Sequence, residues 1–301
     1  MRKVGEFEER LKAYNEDHCW QYDIRVKNME ADLSNGQFDA DYCDKLRVSD
    51  FIFENIIDKK EQQNLKKFIE RHEWLGTLSQ YTTHWFACYH IHNDVKIIAG
   101  VILFNVPNSF SKILGEETPQ LERLISRGAC ISWSPKNLAS AFLMWCITWM
   151  VKNTQYRLFT AYSDPTAKEL GTIYQACNFY YMGQSAGATN RYINPYNGKI
   201  VSDRYFRQKT SYKKFAIEMG IEWQKNWNHP TGMCWDNMSK ETEQRLRDYS
   251  KMKQSQAEII QMPSKHKYAY VLGVTKHETR QLRKLYESKN KNHEYPKDRG
   301  K

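Results

Sequence analysis

Hydrophobic positions between residues 50 and 187 fall into short blocks with the spacing of strands and helices. Two blocks rich in β-branched and aromatic residues, 85–91 and 95–106, flank His92-Asn93-Asp94, a composition typical of a tight hairpin turn. Before them, residues 58–71 place apolar side chains at helical spacing behind an aspartate that suits an N-cap. The pattern therefore predicts a helix followed by two antiparallel strands.

Downstream of the hairpin, the pattern predicts an alternation of strands and helices. The segment 136–152 is apolar on nearly all faces, as in a helix covered by other elements, and Ser134 and Pro135 suit its cap and first turn. A second helix is predicted at 166–177, behind Asp164-Pro165. The predicted strands of this region are 129–133, 156–162 and 179–182. This order predicts an α/β fold in which a mixed, mostly antiparallel central sheet is flanked by helices.

The two ends of the chain differ in composition from this central block. Residues 1–48 are polar and mixed in charge, and we treat them as an N-terminal extension of a catalytic core at 49–200. Residues 201–301 are expected to form a basic, mainly helical C-terminal extension, with a short strand at 267–274 and a helix at 276–286. We expect disorder after about residue 288.

The composition is that of a globular protein, with 41% hydrophobic and 27% charged residues. The longest apolar run, 138–151, is shorter than the ~20 residues that span a bilayer, and the N-terminus lacks the apolar stretch of a secretory signal. We therefore expect no membrane partner and a cytoplasmic location, in the host cell if the protein is phage-encoded. Seven scattered cysteines without a C-x-x-C pair indicate reduced thiols, and no Cys/His metal site is expected.

The net charge of +10 favours encounter with a polyanion. Much of the excess lies after residue 264, and a second group of cations alternates with aromatic residues between 204 and 215. This alternation suits phosphate contact, although a solvated amphipathic helix has the same pattern. The candidate nucleic-acid-binding residues are Arg204, Arg207, Lys213, Lys214, Arg280, Arg283 and Lys284.

Four local motifs resemble the Mom-like phage DNA-modification proteins, an offshoot of the GNAT acyltransferases. They are Ile125-Ser126-Arg127, Tyr162-Ser163-Asp164-Pro165, the segment from Gly171 to Ala176 and the segment from Asn178 to Gly183. The resemblance implies a GNAT-like core in which a coenzyme lies in a splay between two central strands. It also implies an enzyme that hypermodifies adenine in phage DNA and so protects this DNA from restriction. Double-stranded DNA is the implied partner and substrate.

The resemblance assigns catalytic roles to five residues. Asp164 is the carboxylate that orients or deprotonates an exocyclic base amine, for which an N-cap role is the structural alternative. Tyr174 is the proton donor, and a packing role is its alternative. Arg127 is an anchor in the cleft. Relatives carry His-His-Tyr where this chain has His72-Glu73-Trp74, so His72 or Glu73 is the supporting ligand or proton acceptor, and a metal at His72 with Asp164 is left open.

The expected donor site departs from the superfamily pattern. GNAT acetyltransferases carry Arg or Gln, two residues, Gly, one residue and then Gly or Ala at the pyrophosphate loop. Here the segment from Ser134 to Ser140 lacks glycine, and Pro135 has no amide proton. Acyl-CoA is therefore a candidate donor that the sequence does not establish. The candidate cofactor-binding residues are Ser134, Lys136, Asn137 and Gly171.

Three functions remain as hypotheses. The first is a Mom-type transferase that adds a small acyl- or carbamoylmethyl-type group to an exocyclic amine, N6 of adenine, in DNA. The second is a GNAT acyltransferase that acts on tRNA, a protein amine or a small amine. The third is a catalytically silent GNAT fold that binds nucleic acid. Neither the oligomeric state nor the target sequence follows from the chain.

Overall fold

A computed structural model describes residues 19–297 except positions 37, 79–80, 108–110, 185–188 and 231. The first 18 residues of the predicted N-terminal extension, and the last four residues of the segment expected to be disordered, lie outside this range. Among the described helices, none has the length and apolar character needed to cross a membrane.

The chain divides into two compact units. The first combines the residues up to 185 with those from 265 onward, and the second comprises residues 186–264. This division differs from the predicted boundaries at 48/49 and 200/201. It does so because the last strand and helix of the chain belong to the first unit, so the second unit is an insertion.

The first unit is built on a seven-stranded sheet in the order β1-β2-β3-β4-β5-β12-β6. Every neighbouring pair is antiparallel except β4 and β5, which are parallel. The mixed, mostly antiparallel sheet is therefore confirmed. Numbered along the whole chain, its strands are β1 (Phe51–Asn55), β2 (Thr82–His92), β3 (Val95–Asn105), β4 (Glu122–Cys130), β5 (Leu158–Ser163), β6 (Tyr180–Gln184) and β12 (His266–Val271).

The hairpin between β2 and β3 is confirmed. Its two turn residues, Asn93 and Asp94, have φ values of 48° and 63°. Asparagine and aspartate tolerate this left-handed backbone better than other L-residues do, and two such residues in succession form the turn that matches strand twist. Strand β2 is longer than the predicted block 85–91, and β3 ends one residue before the predicted block 95–106.

The parallel pair β4 and β5 separates partway along its length. Pairing ends at Ile125 and Ala161, although β4 continues to Cys130. Ser126 is an extra residue in β4, because Phe104 pairs with Ile125 while Leu103 already pairs with Arg127. A bulge of this kind bends a strand and increases its twist. The two strands therefore diverge and leave a V-shaped opening in the middle of the sheet.

Helices cover this sheet. The helices of the first unit are α1 (Trp20–Gly36), α2 (Ala40–Lys45), α3 (Lys59–His72), α4 (Leu138–Asn153), α5 (Thr172–Ala176) and α8 (Lys276–Lys289). Asp58 caps α3 by accepting a hydrogen bond from Glu61 N at 2.7 Å, as predicted. Helix α4 buries Phe142, Leu143 and Cys146 completely or nearly so, which explains why its sequence is apolar on most faces.

The N-terminal segment is part of the core rather than an appendage. Met29 of α1 and Cys43 of α2 belong to the same buried cluster as the strands. Phe38, between these helices, stacks on Tyr42 and meets Trp133 edge to face. The polar sequence of this segment obscured the role, because only a few side chains between residues 19 and 48 are buried.

Two predicted boundaries around α4 and α5 are wrong. Residues 131–133 form a turn rather than a strand, and α4 begins at Leu138, so Ser134 is not its cap. The predicted helix at 166–177 is a 3-10 turn at Pro165–Ala167 followed by α5, which has only five residues. Gly171 interrupts the helix with φ 66°, a conformation that favours glycine.

The C-terminal segment also contradicts the expectation of a separate extension. Strand β12 lies between β5 and β6, and Tyr286 of α8 is completely buried. Beyond α8, the Tyr295 hydroxyl donates to the Phe179 carbonyl at 2.6 Å, and His293 N donates to the Tyr181 carbonyl at 2.9 Å. Residues 290–297 are therefore held against the first unit rather than disordered.

The second unit has its own sheet and core. Its strands are β7 (Thr189–Ile193), β8 (Ile200–Val201), β9 (Asn228–His229), β10 (Gly232–Met233) and β11 (Ile259–Met262), with the order β11-β7-β8 in one sheet and a β9–β10 hairpin. Helices α6 (Lys209–Glu218) and α7 (Lys240–Gln256) pack on a cluster that includes Phe206, Phe215 and Leu246. Residues 203–207, before α6, form a 3-10 turn.

We predict that Gly171→Ala destabilises the first unit strongly. An added Cβ would lie 2.5 Å from the ring of Tyr268, in addition to the strain of φ 66°. The left-handed backbone alone costs about 1–2 kcal/mol, and overpacking adds about 1–3 kcal/mol. Gly198→Ala, at φ 69° with no atom within 4 Å of the new Cβ, isolates the backbone cost. Calorimetric unfolding of both variants tests this, and equal losses of stability would contradict the contact with Tyr268.

Candidate active-site cleft

The opening between β4 and β5 continues into a cleft of about 550 Å³. This volume is in the range of pockets that bind small molecules and cofactors. Its floor is the divergent part of β4, from Ile125 to Cys130. Its other walls come from the start of α1, the residues after α3, the end of β5, the start of α4, and α5 with the loop before it. All of these elements belong to the first unit.

The start of α4 suits an anionic part of a donor molecule. Asn137, Ala139 and Ser140 line the cleft, and the first-turn amides of a helix have no acceptors within the helix. Asn137 stands where the superfamily pattern has its first glycine, and it adopts φ 67°, a backbone conformation typical of glycine. Ala139 satisfies the final Gly or Ala of the pattern. The loop therefore lacks the glycine of this pattern but has a left-handed backbone at the same position.

Two of the four candidate donor-binding residues do not line the cleft. Asn137 and Gly171 line it, whereas Ser134 and Lys136 do not. Ser134 Oγ instead accepts a hydrogen bond from Arg25 Nη2 at 3.3 Å, and the same guanidinium donates to the Ser132 carbonyl at 2.9 Å. Helix α1 thus holds the loop that precedes α4.

A buried carboxylate on α1 connects this loop to the end of α3. Asp32 is 4% exposed, and its Oδ2 accepts a hydrogen bond from Ser132 Oγ at 2.7 Å. Its Oδ1 accepts from Arg71 Nη2 at 2.6 Å, and His72 Nδ1 lies 3.6 Å from Oδ2. A buried carboxylate requires such partners. Asp32 therefore fixes two segments that lead directly into residues of the cleft wall.

His72 faces away from the cleft. It is 5% exposed, packs on the Phe68 ring with centroids 4.3 Å apart, and points to Asp32 rather than Asp164. Burial lowers the pKa of His72 to about 4, against the opposing charge of Asp32. The structure thus separates His72 from Asp164. Within the described part of the chain, no three His, Cys, Asp or Glu side chains are grouped as metal ligands.

The cleft brings together three carboxylates, two of which face cations. Glu73 Oε2 lies 3.9 Å from Arg127 Nε and accepts from Gly76 N at 2.8 Å. Asp164 Oδ2 lies 3.2 Å from Lys265 Nζ, while its Oδ1 accepts from Thr166 N at 3.0 Å. Asp164 therefore caps the 3-10 turn and lines the cleft at the same time, so the two interpretations of this residue are compatible.

The third carboxylate is Glu169. Its Oε1 accepts from Trp74 Nε1 at 2.9 Å, and its Oε2 accepts from the Asp164 backbone N at 3.1 Å. Burial raises the pKa of Glu169, and the negative charges of Glu73 and Asp164 act in the same direction. The two hydrogen bonds oppose this increase. Burial also raises the pKa of Glu73. The cleft thus contains acidic groups that hold a proton more readily than they would in water.

Tyr174 lies on α5 and lines the cleft. Its ring packs on Phe179 and Tyr268 with centroids 5.3 and 5.2 Å away. Burial and the neighbouring charges of Glu169 and Glu73 raise the pKa of the Tyr174 phenol. The phenol is therefore protonated at neutral pH, which is the form that a proton donor needs.

Arg127 is held in place from its own backbone and from the loop after α3. Its Nε donates to the Thr77 carbonyl at 2.7 Å and its Nη1 to the Ser126 carbonyl at 2.6 Å. Of the five candidate catalytic residues, the cleft contains Arg127, Glu73, Asp164 and Tyr174.

Glu169, Lys265 and Arg25 are site residues that the sequence pattern does not single out. Glu169 reaches Asp164 only because the loop folds back, with Lys168 at φ 55° and Glu169 N donating to the Asp164 carbonyl at 3.1 Å. Lys265 and Arg25 are about 100 or more positions from their partners, and no local pattern indicates such contacts. The Asp164-Pro165 motif was the one local pattern that indicated a site residue in this part of the cleft, where Asp164 meets Glu169 and Lys265.

The candidate nucleic-acid residues divide between the units. Arg280, Arg283 and Lys284 are exposed on α8 of the first unit, and Arg204, Arg207, Lys213 and Lys214 are exposed in the second. Arg207 pairs with Asp203, and Lys214 Nζ lies 4.8 Å from the ring centroid of Tyr196. Each unit therefore has its own exposed cationic group.

The strand order, the diverging parallel pair and the helix that follows β4 define a GNAT-like α/β protein. Residues 54–297 match the Mom protein family. Because this match covers more than half of the chain, the protein belongs to the Mom family. No match to a curated protein was found.

Two solved structures have low sequence identity to this chain. The ribosomal-protein-S5-alanine acetyltransferase from Vibrio fischeri is 15% identical with a TM-score of 0.27, over 42% of this chain and 60% of that chain. The present chain thus spans less than two thirds of that protein. An N-acetyltransferase from Staphylococcus aureus Mu50 is 16% identical with a TM-score of 0.29, over 46% of this chain and 87% of that chain.

We predict that His72 makes the stability pH-dependent. Its pKa is about 4 in the folded protein and about 6.5 when unfolded. The unfolded state therefore gains a proton first, so stability present above about pH 6.5 is lost as pH falls toward 4, by on the order of 2 kcal/mol near pH 4.5. Urea unfolding near pH 7 and pH 4.5 measures this loss.

The variant His72→Gln should be less stable near pH 7 but should lose less stability on acidification than the wild type. His277→Gln, at an exposed position on α8, is the matched control and should keep the wild-type pH dependence. An unchanged pH dependence in His72→Gln would contradict a neutral, buried His72.

Proposed function

We propose that this protein is a Mom-type transferase that adds a small acyl- or carbamoylmethyl-type group to an exocyclic base amine in DNA, N6 of adenine, and so protects the DNA from restriction. Membership of the Mom family is the observation that carries this proposal. The geometry supports it, because the cleft residues Arg127, Asp164 and Tyr174 belong to motifs that resemble this family.

The donor end of the cleft is the start of α4. Asn137 and the amides of Ala139 and Ser140 would hold an anionic group, and the buried Arg25 and Asp32 contacts keep the preceding loop in place. An acyl-CoA or a similar donor, when bound, supplies an activated carbon at the opening between β4 and β5. Every other step is performed by the side chains of the chain itself.

The acceptor end is the part of the cleft that contains the carboxylates of Glu73, Asp164 and Glu169. The lone pair of an exocyclic amine is delocalised into the base, so this nitrogen attacks only if it is oriented and loses a proton as the new bond forms. Asp164 orients the amine, Arg127 and Lys265 balance negative charge, and the Tyr174 hydroxyl donates a proton to the departing group. Trp74 gives an aromatic wall for a base turned out of the duplex.

We predict that Asp164→Asn and Tyr174→Phe abolish DNA modification. Asparagine keeps the size of Asp164 but loses its charge, and phenylalanine removes the hydroxyl that donates the proton. Loss of one general acid or base lowers rates by about 10²–10⁴-fold. Mass spectrometry of nucleosides from DNA of cells that express each variant measures the effect.

The controls are Asp41→Asn, at an exposed position, and Tyr180→Phe, whose ring stacks on Tyr286 outside the cleft. Both should give the same modified nucleoside as the wild type, with a mass shift that identifies the group. Unaltered nucleosides from cells that contain wild-type protein would overturn the proposed function. A label on tRNA or protein would instead favour another acceptor, and salt-sensitive DNA binding without modification would favour a silent fold.

We predict that exposed cations of both units bind DNA phosphates. The triple variant Arg280→Gln, Arg283→Gln, Lys284→Gln should weaken duplex binding and reduce the slope of log K against log salt by about 0.9 for each phosphate that these side chains neutralise in the wild type. Replacing Arg204, Arg207, Lys213 and Lys214 in the same way tests the second unit. The control replaces Lys59, Lys60 and Lys67, which are exposed on α3. Equal slopes for this control and the α8 variant would contradict a phosphate-binding role for α8.

A further inference from the structure

The three carboxylates of the cleft differ in their partners. Glu73 faces Arg127 at 3.9 Å and Asp164 faces Lys265 at 3.2 Å, so each has a cation to stabilise its charge. Among the described residues, Glu169 has no such ion pair, and its carboxylate oxygens accept hydrogen bonds from the neutral N–H groups of Trp74 and Asp164. Glu169 is therefore the cleft carboxylate whose negative charge is least neutralised.

The position of Glu169 is fixed from two sides. Trp74 holds Oε1 from the segment after α3, and the Asp164 amide holds Oε2 from the end of β5. Each carboxylate oxygen has two acceptor sites. From the described residues each oxygen accepts one hydrogen bond, which leaves one site on each for a substrate. A carboxylate with fixed geometry and a remaining lone pair is suited to proton transfer, which requires donor and acceptor within hydrogen-bond reach.

The electrostatic environment supports the same role. Burial and the like charges of Glu73 and Asp164 raise the pKa of Glu169, despite the two hydrogen bonds that lower it. A carboxylate with a raised pKa binds a proton more strongly, and general bases work best when their pKa approaches the working pH. Glu169 is thus a better proton acceptor than a carboxylate in water.

We propose that Glu169 is a further catalytic residue, the base that removes the proton from the exocyclic amine while Asp164 orients it. This inference rests on the proposed function. As the bond between the base nitrogen and the transferred carbon forms, the bond between that carbon and the leaving group breaks. One N–H bond of the amine also breaks, and its proton moves to an oxygen of Glu169. Tyr174 protonates the leaving group. After the product leaves, Glu169 gives its proton to water and Tyr174 takes a proton from water, which restores both side chains.

The test uses the purified full chain, plasmid DNA and the protein-free small-molecule fraction of a bacterial lysate as the source of donor, with the modified nucleoside measured by mass spectrometry. Glu169→Gln keeps the size of the side chain but removes its basicity, and the rate should fall by about 10²–10³-fold. The wild-type rate should rise with pH as Glu169 loses its proton, and this acid limb should be absent from the residual rate of Glu169→Gln.

Chemical rescue separates a base from a structural contact. In Glu169→Ala, added formate or acetate should raise the residual rate by at least about tenfold, in proportion to the concentration of the added carboxylate. Asp164→Ala should show no such rescue. Asp164 acts by orienting the amine, and a carboxylate that diffuses freely in the cleft does not replace this function. Glu116→Ala, at an exposed position, should keep the wild-type rate without added carboxylate.

Each outcome decides the inference. Wild-type rates in Glu169→Gln would overturn it while leaving the proposed function intact. Inactive Glu169→Ala without rescue, together with an acid limb that persists in Glu169→Gln, would also overturn it and leave Glu169 as a support for Trp74. Absence of any modified nucleoside with the wild-type chain would overturn the proposed function, and this inference with it.

Discussion

The separation of β4 from β5 after Ile125 and Ala161 is the constraint on which the rest of the structure depends. Unpaired backbone groups in the middle of a sheet are costly unless they meet another partner. Beyond the separation, β4 keeps its pairing with β3, and β5 keeps its pairing with β12, so both strands stay in the sheet while a cleft opens between them. The C-terminal strand is therefore a condition for the cleft and not an addition to it.

Helix α1 provides the second condition. It lies before residue 54, where the match to the Mom family begins, and yet its Asp32 and Arg25 hold the loop that leads into α4. Removing one partner of a buried charged group leaves the other uncompensated, at a cost of about 3–5 kcal/mol. The same carboxylate contacts Arg71 and lies beside His72, directly before the cleft residues Glu73 and Trp74. One buried side chain thus connects the loop before α4 to the end of α3.

The three carboxylates of the cleft show how one site gives chemically similar side chains different properties. Glu73 and Asp164 face cations, whereas Glu169 is held by neutral donors and has a raised pKa. Tyr174 is kept protonated by burial and by the negative charges of Glu169 and Glu73. The surroundings of each side chain therefore set how firmly it holds its proton.

The sequence by itself determined the class of fold, the β2–β3 hairpin, the Asp58 cap and, through its motifs, the Mom family. These features depend on local periodicity, turn residues and short motifs, which are properties of neighbouring residues. The motifs also carry three residues that line the cleft, since Arg127 lies in β4, Asp164 directly after β5 and Tyr174 on α5.

Only the tertiary structure decided the rest. It placed β12 inside the sheet, made α1 part of the core, turned His72 toward Asp32 and brought Lys265 and Glu169 to Asp164. Each of these contacts joins residues that are distant in the chain or brought together by a left-handed turn at Lys168 and Gly171. Burial and charge pairing depend on such contacts, and no local pattern of hydrophobic and polar positions contains them.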